Sequence, residues 1–129
     1  MCYERGILEF GNNFVNTAKT TIVCQKRIHF GNDIVISWNT LIMDTDWHPV
    51  QNTQTKEVYL DTMEKPVIIG DKVWMGTKST ILKGTEIAEG CIIAANSTCC
   101  NKKYEKPECL LAGNPATEHK SNVTLYREK

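Results

Sequence analysis

Four residues able to do chemistry fall within five positions of one polar stretch, Asp44, Asp46, Trp47 and His48, and Pro49 follows them. The proline fixes the backbone after His48 and biases His48 itself toward extended conformations, so the imidazole is presented from a stiff segment. An unperturbed histidine titrates at about 6.5, which makes it both available and adequate as a base near neutrality. The other two histidines, His29 and His119, lie in an early regular stretch and in a charged tail, and neither is followed by a proline. Taken alone, His48 reads more readily as a surface loop residue than as a general base.

Most of the chain around this histidine is written in a six-residue period. Five hexapeptides, IGDKVW, MGTKST, ILKGTE, IAEGCI and IAANST, follow one another without a slip over residues 69–98. An aliphatic residue opens each unit (Ile69, Met75, Ile81, Ile87, Ile93), and a small or compact residue stands four places later (Val73, Ser79, Thr85, Cys91, Ser97). A short fixed period means a solenoid, and six residues per unit fits a coil of three flat faces with the opening residue turned inward. A run of β-hairpins would supply alternating aliphatics too, but not five units in register. The second position, Gly70, Gly76, Leu82, Ala88 and Ala94, is mostly small, as expected at a tight corner.

Earlier units read FGNNFV, IVCQKR, FGNDIV and ISWNTL, opening at Phe10, Ile22, Phe30 and Ile36. The step from Ile22 to Phe30 is eight residues, which requires a corner insertion. Asn16 occupies an opening position, either paired with neighbouring amides inside the stack or turned into a site. Between Ile42 and Val67 the period stops, and a polar excursion over about residues 44–66 takes its place; loops of this length are usually functional or disordered.

With 129 residues the chain is expected to form one domain. Fifteen basic residues balance fifteen acidic ones with no dense basic stripe, which argues against nucleic-acid partners. No stretch is long and apolar enough for a signal peptide or a membrane span, so no membrane association and a cytoplasmic location are expected. The six cysteines form no CxxC pair and are read as reduced, with Cys91 and Cys99 packed inward. An isolated solenoid of this size exposes open ends, so oligomerisation is expected.

The hexapeptides, the excursion DTDWHPV, the segment VIIGDKVWMG after it and the closing LLAGNPA together resemble the left-handed β-helix acyltransferases with hexapeptide repeats. Within that family the resemblance is to galactoside, maltose, xenobiotic and capsular polysaccharide O-acetyltransferases, and it covers about residues 10–116. It implies an all-β fold, a left-handed parallel β-helix with one protruding loop, an exception to the right-handed crossover rule. It further implies a homotrimer with acetyl-CoA, and no metal, in a groove between subunits, and transfer of the acetyl group to a hydroxyl or amine of a sugar or related small acceptor. His48 falls on the family's general base, Asn16 near its acceptor-contacting asparagine, and Thr77 and Ala95 on the coenzyme groove with Trp74 beside it. Asp46, two residues before the histidine, is taken as a second acceptor contact.

Two departures stand out. Family members commonly carry a base just after AGNPA, where this chain has Thr117 and the next base is Lys120, to which the coenzyme phosphates are assigned. The chain also lacks the family's extended N-terminal region and closes on a charged tail over about residues 117–129. Two other readings compete: a trimeric β-helix scaffold without turnover, and a γ-type carbonic anhydrase, whose three zinc-binding histidines have no counterpart in the scattered His29, His48 and His119.

Overall fold

A computed structural model describes residues 1–128. Seventeen strands and no helix are found among them, and fourteen of the strands build three parallel sheets that are the three faces of a solenoid. The first coil is β1 (Ile7–Phe10), β2 (Val15–Asn16) and β3 (Thr21–Val23); the second is β4 (Arg27–Phe30), β5 (Val35–Ile36) and β6 (Leu41–Met43). The excursion then carries a small antiparallel hairpin, β7 (Val50–Gln51) and β8 (Val58–Tyr59). The third coil is β9 (Val67–Ile69), β10 (Trp74–Met75) and β11 (Thr80–Ile81), and the fourth is β12 (Glu86–Ile87), β13 (Ile92–Ile93) and β14 (Thr98–Cys99). A fifth coil begins with β15 (Lys103–Tyr104) and β16 (Cys109–Gly113). It ends when β17 (Ala116–Ser121) folds back antiparallel on β16.

The six-residue period maps directly onto the core. Ladder register aligns Phe10, Phe30, Ile69, Ile87 and Tyr104 on the first face. On the second face it aligns Asn16, Ile36, Met75, Ile93 and Leu111, and on the third Ile22, Ile42, Ile81 and Cys99. From the second coil onward every one of these side chains is buried. Full burial of a side chain such as Ile contributes roughly 1.5–3 kcal/mol, against at most about 1 kcal/mol for a surface ion pair. The inward rows therefore hold the coils together. The fourfold-spaced positions Val73, Ser79, Thr85, Cys91 and Ser97 are buried as the period predicts.

The corners differ in their cause from the sequence expectation. The left-handed backbone sits at the fourth position of each unit, Lys72, Lys78, Gly84, Gly90 and Asn96, with φ between 57° and 74°. The second position is small for another reason, the approach of the next coil. A Cβ on Gly76 would lie 2.8 Å from both the Ala95 amide nitrogen and the Ile93 carbonyl oxygen, and one on Gly70 would lie 2.9 Å from the Ile87 oxygen.

The eight-residue step is the expected insertion, and it has a dedicated support. Asp44, the first residue of the excursion, is wholly buried and accepts the backbone N–H groups of Gln25, Lys26 and Arg27 at 2.7–2.8 Å. The tail differs from expectation: its first residues form β17, which covers the last edge of the second face, and Ala116 is buried with its carbonyl accepting from the Tyr104 hydroxyl at 2.7 Å.

Candidate functional site

The three faces present different outer surfaces. Outward positions of the first face read Glu9, His29, Ile68, Glu86 and Lys103, and those of the third read Thr21, Leu41, Thr80 and Thr98. The second face reads Val15, Val35, Trp74, Ile92 and Leu110. A sheet with an apolar row on its solvent side is one built to be covered, because such rows are otherwise polar.

A groove of about 470 Å³ lies along this apolar face, with Trp38, Trp74, Thr77, Ala95, Ile92 and Leu110 in its wall. Stacked coils bring these residues together from four separate strands or the corners after them. Trp74 is half-buried and fixed, its indole Nε1–H donating to Ser37 Oγ at 3.1 Å. Gly76 with Ala94 and Ala95 keeps the floor of the groove at backbone level, since no side chain stands between the coils there. Three of the four residues expected at the coenzyme, Trp74, Thr77 and Ala95, therefore share one cavity. The fourth, Lys120, is exposed and pairs with Leu110 across β16 and β17, which places it on the same face one strand beyond the groove. Thr117 is exposed, with its Oγ1 3.3 Å from His119 Nε2.

Asn16 stands in the inward row of this face, but in the terminal coil, so it is exposed. It lies two strands from Trp74 and does not line the groove. Sequence reasoning did not single out Ser37 or Leu110, because only coil stacking puts them beside Trp74.

His48 is elsewhere on the molecule. The groove lies on the second face toward the corner leading to the third, whereas the excursion leaves from the corner between the third face and the first. Its two legs pair as a short antiparallel neck: Asp46 N–H donates to Met63 O at 2.9 Å, Lys65 N–H to Asp44 O at 3.0 Å, and Thr45 bridges Glu64. His48 is exposed between Trp47, whose ring packs 4.9 Å from that of Tyr3, and the strand that opens at Val50. Asp46, expected as an acceptor contact, has its Oδ2 2.5 Å from Lys83 Nζ and its side chain part-exposed.

The remaining polar groups have local explanations. His29 Nδ1 is 3.4 Å from Glu9 Oε1, a neighbour supplied by the adjacent coil, and Arg27 Nε donates to the same oxygen at 2.8 Å. That Arg27 bond is the main reason the Glu9 carboxyl is held below its ordinary value. Cys24, Cys91, Cys99 and Cys109 are buried, and Cys2 and Cys100 are exposed; all are free. Burial, and then the Asp44 charge, pushes the Cys24 thiol up to about 12, and burial pushes Cys99 up to about 11. These are packing residues, not nucleophiles. Among the described residues no group of three His, Cys, Asp or Glu side chains is placed to hold a metal ion, and no helix is long and apolar enough to cross a membrane.

Comparison with known proteins places this architecture. Residues 66–101 match the family described as bacterial transferase hexapeptide (six repeats). Galactoside O-acetyltransferase of Escherichia coli K12 is 29% identical over 108 residues, covering 84% of this chain and 51% of the relative. The crystal structure of the polySia specific acetyltransferase NeuO superposes with a TM-score of 0.82 at 27% identity, covering 94% of this chain and 55% of that one. A maltose O-acetyltransferase from Clostridium difficile 630 gives 0.74 at 26% identity, covering 88% and 58% respectively. The chain thus spans little more than half the length of these relatives. The matched hexapeptides, the three-faced parallel solenoid and its interrupting loop make this chain similar to the hexapeptide-repeat, left-handed β-helix acetyltransferases.

Proposed function

We propose that this chain is an acetyl-CoA-dependent acetyltransferase acting on a hydroxyl of a sugar-class acceptor, with its sites completed between subunits of a homotrimer. The observation that carries this reading is the separation of the groove from His48 within one chain, combined with the apolar row that surrounds the groove. A base and a coenzyme groove on different edges of a solenoid meet only when a second copy brings its excursion to the first copy's second face. The apolar row Val15, Val35, Trp74, Ile92 and Leu110 gives that second copy a surface to cover. The relatives' names, galactoside, maltose and polySia, support the acceptor class.

The groove fits an acyl-pantetheine arm. Its floor is stacked backbone at Gly76, Ala94 and Ala95, which permits close approach of a narrow chain, its wall is an anchored indole, and Lys120 supplies a cation beyond one end for phosphate. His48 takes the proton from the acceptor hydroxyl as that oxygen attacks the thioester carbonyl. The tetrahedral oxyanion collapses, the C–S bond breaks, and the departing coenzyme thiolate recovers the proton from the imidazolium. No covalent enzyme intermediate is needed, because binding both substrates together removes much of the entropic cost. Asn16 keeps the proposed acceptor role, its amide being exposed at the end of the groove's own sheet, whereas Asp46 has its carboxylate on Lys83. A cytoplasmic setting, where acetyl-CoA is made, belongs to the same proposal.

The test is thiol release from acetyl-CoA with galactosides, maltose and polysialic acid offered as acceptors. Acceptor-dependent release supports the reading. Absence of release and of any acetyl-CoA binding to the trimer favours a non-catalytic scaffold.

A further inference from the structure

We infer that Lys83 is a positioning residue for His48, acting through Asp46 by clamping both legs of the excursion to the body of the solenoid. This rests on the reading of His48 as the base.

Lys83 stands at the corner after β11, in the coil that follows the excursion's point of exit. Its ammonium reaches Asp46 Oδ2 at 2.5 Å on the outgoing leg and also donates to the Thr62 carbonyl on the returning leg. One cation thus ties two strands of chain that are 37 and 21 residues distant from it in sequence. The Lys83 side chain is only 17% exposed, less than any other lysine or arginine in an ion pair among the described residues, and a half-buried charge satisfied by a carboxylate and a carbonyl has one geometry rather than many.

The position of this clamp is what gives it a function. Asp46 is two residues before His48, and the intervening Trp47 has a left-handed backbone with φ of 67°. That conformation is unfavourable for a bulky residue and persists only when its surroundings hold it. Here the Trp47 N–H donates to Thr45 Oγ1 at 2.9 Å, Thr45 Oγ1 in turn donates to Gln25 Oε1 at 2.7 Å, and the indole rests on Tyr3. The direction in which the chain leaves Trp47 is the direction in which His48 is presented. Its starting point is the Asp46 carboxylate on Lys83. Among the described residues no side-chain hydrogen bond or ion pair ties His48 to the solenoid body, so its placement is inherited from these residues. Lys83 touches no reacting atom in this scheme.

Histidines labelled with ¹³C at Cε1 test the proposal in the full chain, with the His48 signal assigned by its loss in His48→Ala. In Lys83→Met the His48 signal is expected to shift and broaden while those of His29 and His119 stay in place. Lys83→Arg should restore it largely, and the exchanged pair Asp46→Lys with Lys83→Asp should restore it in part. Turnover with acetyl-CoA and the acceptors above is expected to fall about 10-fold in kcat for Lys83→Met, with KM for acetyl-CoA unchanged. The same substitution in a His48→Ala background should cost nothing further. An unchanged His48 signal in Lys83→Met, or additive losses in the double variant, overturns the positioning role. Wild-type turnover in His48→Ala instead removes the base assignment, and the resonance then reports separately whether Lys83 sets that loop. If Asp46 contacts the acceptor directly, Asp46→Asn raises the acceptor KM and the exchanged pair rescues nothing, which also overturns the inference.

Discussion

The carboxylate of Asp44 receives the backbone N–H of Lys26 at 2.7 Å, across 18 residues of chain and between two successive corners of the solenoid. Gln25 and Arg27 donate to the same buried group, so one side chain organises the whole insertion that the eight-residue step requires. Removing it leaves three amides without their acceptor. Asp44→Ala is therefore expected to destabilise the fold by about 3–5 kcal/mol, an unsatisfied buried donor costing roughly 1–3 kcal/mol each with partial relief from water. Asp44→Asn, which keeps an acceptor oxygen, should cost less. Urea unfolding followed by circular dichroism measures both, and a loss below about 1 kcal/mol for the alanine variant would remove Asp44 from this role.

Acetyl-CoA is expected to raise the melting temperature of the native protein, since a ligand selective for the folded state stabilises it by mass action. Thr77→Trp fills the groove beside Gly76 and should abolish that shift while leaving the far-ultraviolet spectrum unchanged. Refolding Thr77→Trp together with His48→Ala should then recover roughly a quarter of wild-type turnover if the proposed trimer forms, because in mixed assemblies some intact grooves meet an intact histidine from a neighbour. Recovery of nothing would place His48 and the groove of the same chain in one site.

Stability should fall on the alkaline side. Burial raises the thiols of Cys24, Cys91 and Cys99 and the phenol of Tyr104, so in the folded state these groups keep protons that the unfolded chain has already released. For groups raised in this direction the stabilisation is complete below the unfolded value, 9.0 for the thiols, and is lost as pH climbs toward the folded values of about 11 and about 12 for Cys99 and Cys24. Each such group lowers stability by up to about 1.4 kcal/mol per pH unit in that window. Denaturation midpoints at pH 8 and pH 10 measure the slope, and Cys99→Ala should flatten it. Equal midpoints for the wild type would contradict the burial of these sulfurs.

The solenoid was legible because its period is the core: Ile69, Met75, Ile81, Ile87 and Ile93 are spaced six apart and land on successive inward rows. The eight-residue step revealed an insertion but not its support, since Asp44 meets Gln25, Lys26 and Arg27 only after the coil has closed. The segment ATEHKS carries no apolar alternation that marks a strand, and it becomes β17 because the edge of β16 offers it a ladder. Trp74, Thr77 and Ala95 came from likeness to known acyltransferases, and the structure gathers them into one groove. That Asp46 belongs to Lys83 was invisible, as nothing local in either segment announces a contact across 37 residues.

In the proposed mechanism His48, presented from the clamped excursion, is the base of an acetyl transfer. Turnover of acetyl-CoA with an accepted sugar by His48→Ala, measured beside the wild type on preparations of equal melting temperature and equal coenzyme affinity, is the deciding measurement. A fall of roughly 10²- to 10⁴-fold in kcat with little change in KM for acetyl-CoA is the predicted result. Wild-type turnover in the variant would contradict the claim and move the chemistry away from the excursion.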